Sequence, residues 1–199
     1  MNDISMPSTG ANPSIIARPD KTIVLIGMMG VGKSTVGKRL AQRLDMSFVD
    51  ADTEIERAAG YTIPEIFEKY GEAHFRDGER RVIARLLRDQ PAHVLACGGG
   101  AFNDPETRAR VAEKGISVWL TAELETLAKR VSKRGNRPML AGEEDVLSRL
   151  HKLSAEREPF YALADLKIDT SDGDPEDSVS RVIESLEKAG YMKVFTCRD

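Results

Sequence analysis

The sequence predicts an α/β fold, a mainly parallel sheet with helices around it. Three observations carry that expectation. Five short runs, Thr22–Ile26, Ser47–Asp50, His93–Cys97, Ile116–Leu120 and Leu166–Asp169, are apolar rather than alternating. Strands buried on both faces read this way. Helix-spaced segments separate the runs, which is the pattern of parallel strands joined by crossover helices. A glycine-rich turn lies between the first run and the first helix.

The elements follow in order. After Thr22–Ile26, Val36, Leu40 and Leu44 recur every four residues and predict a helix from about Lys33 to Leu44. Beyond the second run, Asp52 is a candidate cap for a helix over Thr53–Ala59. Thr62 followed by Glu65 reads as a capping box. Downstream, Val82, Ile83, Leu86 and Leu87 fall on one side of a helix through Glu79–Leu87. Asp104-Pro105 and Asp174-Pro175 each set a cap residue before a first-turn proline. The span from about Lys21 to Gly190 reads as one domain without internal repeats. Residues 1–20, rich in Ser, Pro, Asn and Gly, read as a flexible leader outside the fold, and 191–199 as a tail.

Composition bounds the job. A chain of 199 residues buries roughly 70% of its unfolded surface, enough for a core without staples. With 41% hydrophobic and 31% charged residues, disorder throughout, collagen and a disulfide scaffold are excluded. Lys plus Arg number 29 against 32 Asp plus Glu, a net charge of -3. That balance disfavours nucleic acid as a partner. Two cysteines, Cys97 and Cys197, and three scattered histidines make neither a structural disulfide nor a zinc site plausible, and a reducing, cytoplasmic setting fits. No apolar stretch approaches membrane-spanning length and no signal peptide is visible. No apolar surface stripe is left over, so a monomer is the default.

The most specific feature is Gly27-Met28-Met29-Gly30-Val31-Gly32-Lys33-Ser34, which fits G-x-x-x-x-G-K-[ST]. Its glycines let backbone N–H groups curl around a phosphate. Lys33 brings charge to the β and γ phosphates, and the Ser34 hydroxyl can ligate Mg²⁺. A chance match in a chain of this length is on the order of 1%, and the strand before and helix after lower it further. Nucleotide binding follows, but not which reaction.

Other residues are ambiguous taken singly. Asp50 and Asp52 end a strand on the ligand side of an open sheet. Asp50 can hold a Mg²⁺-bound water, and Asp52 either accepts from a substrate hydroxyl or only caps a helix. Arg76 is either a bidentate carboxylate clamp or an exposed partner of Glu72 or Glu79. Gly98, Gly99 and Gly100 suit close approach to a ligand or a tight turn. Cys97 reads as a packed small residue. Arg130, Lys133, Arg134 and Arg137 lie in RVSKRGNRPMLAG, which reads as a mobile lid over about 130–142 or a solvated helix end. Arg157 precedes Pro159-Phe160-Tyr161 and has a surface bridge to Glu156 or Glu158 as its plain alternative.

In combination these residues resemble the shikimate kinase family. GMMGVGKST, DAD at Asp50–Asp52, IFEKYGEAHFRDGE, CGGGA, RGNRPMLAG, REPFY and IDTSDGDPED occur in the family's order from Thr22 to about Leu186. The resemblance implies a P-loop kinase-like three-layer sandwich with a five-stranded parallel sheet ordered 2-3-1-4-5. It implies ATP-dependent phosphorylation of the 3-hydroxyl of shikimate, with Mg²⁺, in aromatic amino-acid synthesis. Carried over by residue, Asp52, Arg76, Gly99, Gly100 and Arg157 bind shikimate, the two arginines at its carboxylate. Glu79 orients Arg76, and Phe67 and Phe75 wall the ring. Gly30, Val31, Gly32, Lys33, Ser34 and Thr35 hold ATP phosphates, with Ser34 and Asp50 at Mg²⁺. Arg130 and the Asp172–Pro175 loop, including Pro175, lie against adenine. Lys33, Asp52 and Arg137 form the catalytic set. The leader, the tail, Cys97 and the acidic Asp172-Gly173-Asp174 depart from the family pattern.

Phosphoryl transfer asks mainly for positioning and charge stabilisation, so Asp52 reads as a positioner of the acceptor. Two rivals remain on sequence grounds: another small-molecule kinase, such as a gluconate kinase, and a catalytically silent nucleotide sensor. An intact Lys33, Asp52 and Arg137 set speaks against the sensor.

Overall fold

The five apolar runs form one parallel five-stranded sheet. In the computed structural model, which describes residues 15–17, 19–132, 145–172 and 174–195, the chain order is β1 (Ile15–Ala17), β2 (Thr22–Ile26), α1 (Lys33–Arg43), β3 (Phe48–Asp50), α2 (Ala51–Ala59), α3 (Ile63–Asp89), β4 (Val94–Ala96), α4 (Pro105–Lys114), β5 (Gly115–Thr121), α5 (Leu124–Ser132), α6 (Val146–Tyr161), β6 (Leu166–Asp169), α7 (Pro175–Lys188) and β7 (Lys193–Phe195). The main sheet runs β3-β4-β2-β5-β6, all neighbours parallel. Counted from Thr22, this is the order 2-3-1-4-5.

β2 is the centre. Every residue of TIVLI is buried, and Val24 pairs with Leu95 on one side and Ser117 on the other. A strand flanked on both sides and covered on both faces has no polar surface to offer, which is why its sequence does not alternate. Around the sheet, α1 packs on α7 and α3 on α4.

The helix starts obey their signals. Thr62 and Glu65 form the reciprocal capping box, with Thr62 N donating to Glu65 Oε2 at 2.7 Å. Asp104 accepts from Thr107 N, and Asp174 forms a box with Asp177. The starts read at Thr62 and through Glu79–Leu87 belong to one element. α3 runs past a break at Gly71, whose φ of 77° is a conformation that favours glycine. The cap of α2 is a correction. The helix begins at Ala51, so Asp50 caps it by accepting from Asp52 N at 3.1 Å, and Asp52 sits in the first turn.

The chain ends also differ from expectation. Ile15–Ala17, within the segment read as a leader, pairs antiparallel with Lys193–Phe195, within the segment read as a tail. Partners about 180 residues apart carry no local turn signal, so a sequence window cannot reveal them. Residues 1–14, 133–144 and 196–199, including the lid candidates Lys133, Arg134 and Arg137, lie outside the described residues. Among the described residues no helix is long and apolar enough to cross a membrane.

Leu25, fully buried in β2, tests the centrality of that strand. Leu25→Ala is expected to cost about 2–5 kcal/mol, read as a lower urea midpoint with an unchanged denaturant slope.

Candidate active site

All five parallel strands point their carboxyl ends the same way, and the loops beyond those ends form a crevice. The phosphate loop leaves β2 at Gly27 and enters α1 through Gly32, whose φ of 100° suits a residue without a side chain. Lys33 Nζ donates to the carbonyls of Gly27 and Met28 at 2.9 and 3.0 Å, folded back over its own loop. Ser34 Oγ donates to Asp50 Oδ2 at 2.7 Å. One Asp50 oxygen thus caps α2 while the other meets the first turn of α1.

Three hollows line the crevice. The first, about 390 Å³, brings Gly30, Val31, Gly32 and Thr35 together with Arg130 and Pro175. Arg130 donates to the carbonyl of Thr170 at 3.1 Å. The second, about 70 Å³, is polar and lies among Lys33, Ser34, Asp50, Asp52 and Gly98. The third, about 700 Å³, is walled by Phe67 and Phe75 and carries Asp52, Arg76, Glu79 and Arg157. The two phenyl rings pack at 4.8 Å. The small hollow shares Gly30, Gly32 and Thr35 with the first and Asp52, Gly98 and Gly99 with the third. It is the passage between them.

The charged side chains are held by each other and by backbone. Arg76 Nη1 donates to Glu79 Oε2 at 2.7 Å and Nη2 to Glu72 Oε1 at 3.1 Å. Both partners named on sequence grounds are therefore real, and Arg76 still lines the large hollow. Burial works to lower the Arg76 pKa, but Glu79 and Glu72 more than offset it, so the net shift is upward. Glu79 is 2% exposed and its Oε1 is buried without a hydrogen-bond partner. Burial raises its pKa against the pull of Arg76, and Asp52 adds to the rise. Arg157, 5% exposed, is no surface bridge. Burial pushes the Cys97 thiol up, so Cys97 is a packed residue and not a nucleophile.

The three glycines answer to protein charges. A Cβ on Gly98 would fall 2.7 Å from Glu79 Oε1, one on Gly99 2.9 Å from Arg157 Nη1, and one on Gly100 2.6 Å from Arg76 Nη1. The sequence pointed to a ligand or a tight turn. The turn is present, with Ala101 N donating to the Gly98 carbonyl at 3.1 Å, and charged side chains of the protein press against it.

Of the residues nominated from sequence, the structure gathers the phosphate-loop, shikimate and Mg²⁺ candidates with Arg130, Asp174 and Pro175, while Asp172 lines none of the hollows and Gly173, Lys133, Arg134 and Arg137 lie outside the described residues. Several went unnoticed. Met29, Glu56, Thr62 and Ile63 line the large hollow, and Thr170 lines the first. Tyr161, four residues along α6 from Arg157, is buried and donates to the Gly99 carbonyl. That spacing was visible in REPFY.

A Mg²⁺ ion asks for one or two protein oxygens and completes its shell with water and phosphate oxygens. The Ser34 hydroxyl and the Asp50 carboxylate, adjoining in a polar hollow beside Lys33, fit that demand. Among the described residues there is no cluster of three or more His, Cys, Asp or Glu for a closed metal site.

Known proteins resemble this chain in sequence and in fold. The family model described as shikimate kinase matches residues 29–187. A shikimate kinase of Bradyrhizobium diazoefficiens is 53% identical over 190 residues, covering 94% of this chain and 90% of that protein. One of Zymomonas mobilis is 54% identical over 166 residues, covering 83% and 93%. The solved structure of shikimate kinase from Acinetobacter baumannii in complex with shikimate superposes with a TM-score of 0.80 at 38% identity, covering 84% of this chain and 93% of that one. A gluconokinase from Sinorhizobium meliloti, at 18% identity and a TM-score of 0.61, shares the fold alone. Sequence, fold and site converge, and the chain belongs to the shikimate kinase family.

Proposed function

We propose that this chain transfers the γ-phosphoryl group of ATP to the 3-hydroxyl of shikimate. The observation that carries the reading is the passage of about 70 Å³ that joins a hollow behind the phosphate loop to one holding Asp52, Arg76 and Arg157. A donor on one side and an anionic acceptor on the other meet at Lys33.

Each residue then has a task. Gly30, Val31, Gly32, Lys33, Ser34 and Thr35 cradle the phosphates, and Arg130 and Pro175 contact adenine. Arg76 and Arg157 hold the shikimate carboxylate, since guanidinium and carboxylate match as planar forks. Glu79 keeps Arg76 turned into the hollow. Phe67 and Phe75 wall the ring, and the Gly99 and Gly100 backbone abuts it. Asp52 holds the acceptor hydroxyl in line. The bond from that oxygen to the γ phosphorus forms as the bond from phosphorus to the ADP oxygen breaks, and the hydroxyl proton, held by Asp52, leaves late through that carboxylate to solvent. A loose transition state needs little help from a base, so Asp52 positions. Lys33 stabilises charge on the transferring group, joined by Arg137. Ser34 and Asp50 would hold Mg²⁺, which neutralises phosphate charge when bound. We read the enzyme as a cytoplasmic monomer, on the sequence grounds that its few cysteines suit a reducing compartment and no apolar surface stripe is left over.

An activity measurement tests this reading, and a stability measurement tests the burial of Glu79 beside Arg76. A coupled ADP-release assay is expected to give shikimate a far higher specificity constant than gluconate or nucleoside monophosphates. In it, Lys33→Ala is expected to lower kcat roughly 10²–10³-fold. Arg76→Ala is expected to raise the KM for shikimate roughly 10–100-fold and leave the KM for ATP near its starting value. ATP binding without turnover of shikimate would sink the proposal.

The second test concerns Glu79. Its folded-state pKa lies above the ordinary 4.5. The fold therefore binds this proton more tightly than the unfolded chain does. The resulting stabilisation is full below about pH 4.5 and is lost as pH rises through the folded value. The urea midpoint of the wild type relative to Glu79→Gln is expected to fall across that window. A relative midpoint that climbs with pH contradicts the account.

A further inference from the structure

Tyr161 is buried to 1% exposure at the end of α6. The buried residues of that helix, Leu150, Leu153, Arg157 and Tyr161, follow each other at three and four positions, so they lie on one face. Arg157 and Tyr161 are thus stacked turns of a single stripe. The Tyr161 hydroxyl donates to the carbonyl of Gly99, and a Cβ built on Gly99 would lie 2.9 Å from Arg157 Nη1 and 3.7 Å from that hydroxyl, so both groups crowd the same residue. Its ring is fixed from behind by Trp119, with centroids 5.8 Å apart.

The Gly99–Gly100 peptide runs between the two arginines. A Cβ on Gly99 would meet Arg157 at 2.9 Å, and one on Gly100 would meet Arg76 at 2.6 Å. A peptide unit is planar, and its C=O and N–H point in opposite directions. Holding the Gly99 carbonyl therefore fixes the Gly100 amide and the spacing of both guanidinium groups across the peptide. We infer that Tyr161 is the positioning residue of the carboxylate clamp, its hydroxyl pinning the Gly99–Gly100 peptide between Arg157 and Arg76. The inference rests on the assignment of the two arginines to the shikimate carboxylate. Burial pushes the Tyr161 phenol up to about 12, so it remains a donor at neutral pH.

A buried tyrosine hydroxyl needs a partner whatever its role, so the test must separate positioning from mere support of the fold. Tyr161→Phe removes only the hydroxyl. It is compared with the wild type on two acceptors, shikimate and its neutral carboxamide, which the clamp grips less. The expected result is a KM for shikimate raised about tenfold, the size of one hydrogen bond. The kcat and the KM for ATP are expected to stay within about twofold, and the variant is expected to match the wild type on the carboxamide within about twofold. Replacing Tyr161 with 4-aminophenylalanine, which retains a donor, is expected to restore the KM. Equal losses on both acceptors, or a loss confined to kcat or to ATP, overturn the positioning role while the clamp assignment stands. A wild type that uses carboxamide and shikimate equally well overturns the clamp assignment and the inference with it. Where Tyr161→Phe fails to fold, 4-fluorophenylalanine fills the hydroxyl's space without donating and is read by the same criteria.

Discussion

The site depends on three consecutive residues that have no side chains. Gly98, Gly99 and Gly100 leave β4 where α2, α3 and α6 all approach, and each gives up its Cβ position to a charged group from another element. Any larger residue there would drive Glu79, Arg157 or Arg76 away from the backbone. Guanidinium and carboxylate groups removed from water need partners close at hand, and here the backbone comes near enough to serve as one wall of their enclosure. The glycines cost conformational entropy. The return is a dense, mutually braced set of charges at the mouth of the central strands.

That density reinterprets the modest net charge of -3. Globally the chain is nearly balanced. Locally, Lys33, Arg130, Arg76 and Arg157 stand along one crevice, with Lys33 and Arg130 held by backbone carbonyls and Arg76 by Glu79 and the Phe75 ring. In the proposed phosphoryl transfer Arg76 is already braced by Glu79, whereas Lys33 exchanges the carbonyls of its own loop for phosphate oxygen. Asp50 ties the two halves together, because one carboxylate serves both the helix after β3 and the hydroxyl of the phosphate loop.

Much of this was legible in the sequence. Short apolar runs revealed the inner strands β2, β4 and β5 because burial on both faces removes polar residues, while the edge strands β3 and β6 are only partly buried. Caps at Thr62, Asp104 and Asp174 revealed helix starts because their hydrogen bonds are local. The phosphate loop was legible because its chemistry is carried by contiguous residues. What escaped was long-range. The pairing of Ile15–Ala17 with Lys193–Phe195 has no local signature. Nor does the reason for the glycine triplet, which lies in side chains from α3 and α6. Asp52 was ambiguous as a cap because two aspartates two residues apart can each begin a helix, and only the observed start at Ala51 decides between them. Tyr161 was overlooked because the spacing of four to Arg157 looks like ordinary helix core.

The indole of Trp119, the single tryptophan of the chain, packs against the Tyr161 ring, and Lys167 Nζ lies 4.3 Å from its centroid. The chain therefore carries an optical reporter on the far side of the phenol that touches Gly99. Emission from one fluorophore, seated between an aromatic ring and a cation, registers shifts of the α6 face without any label.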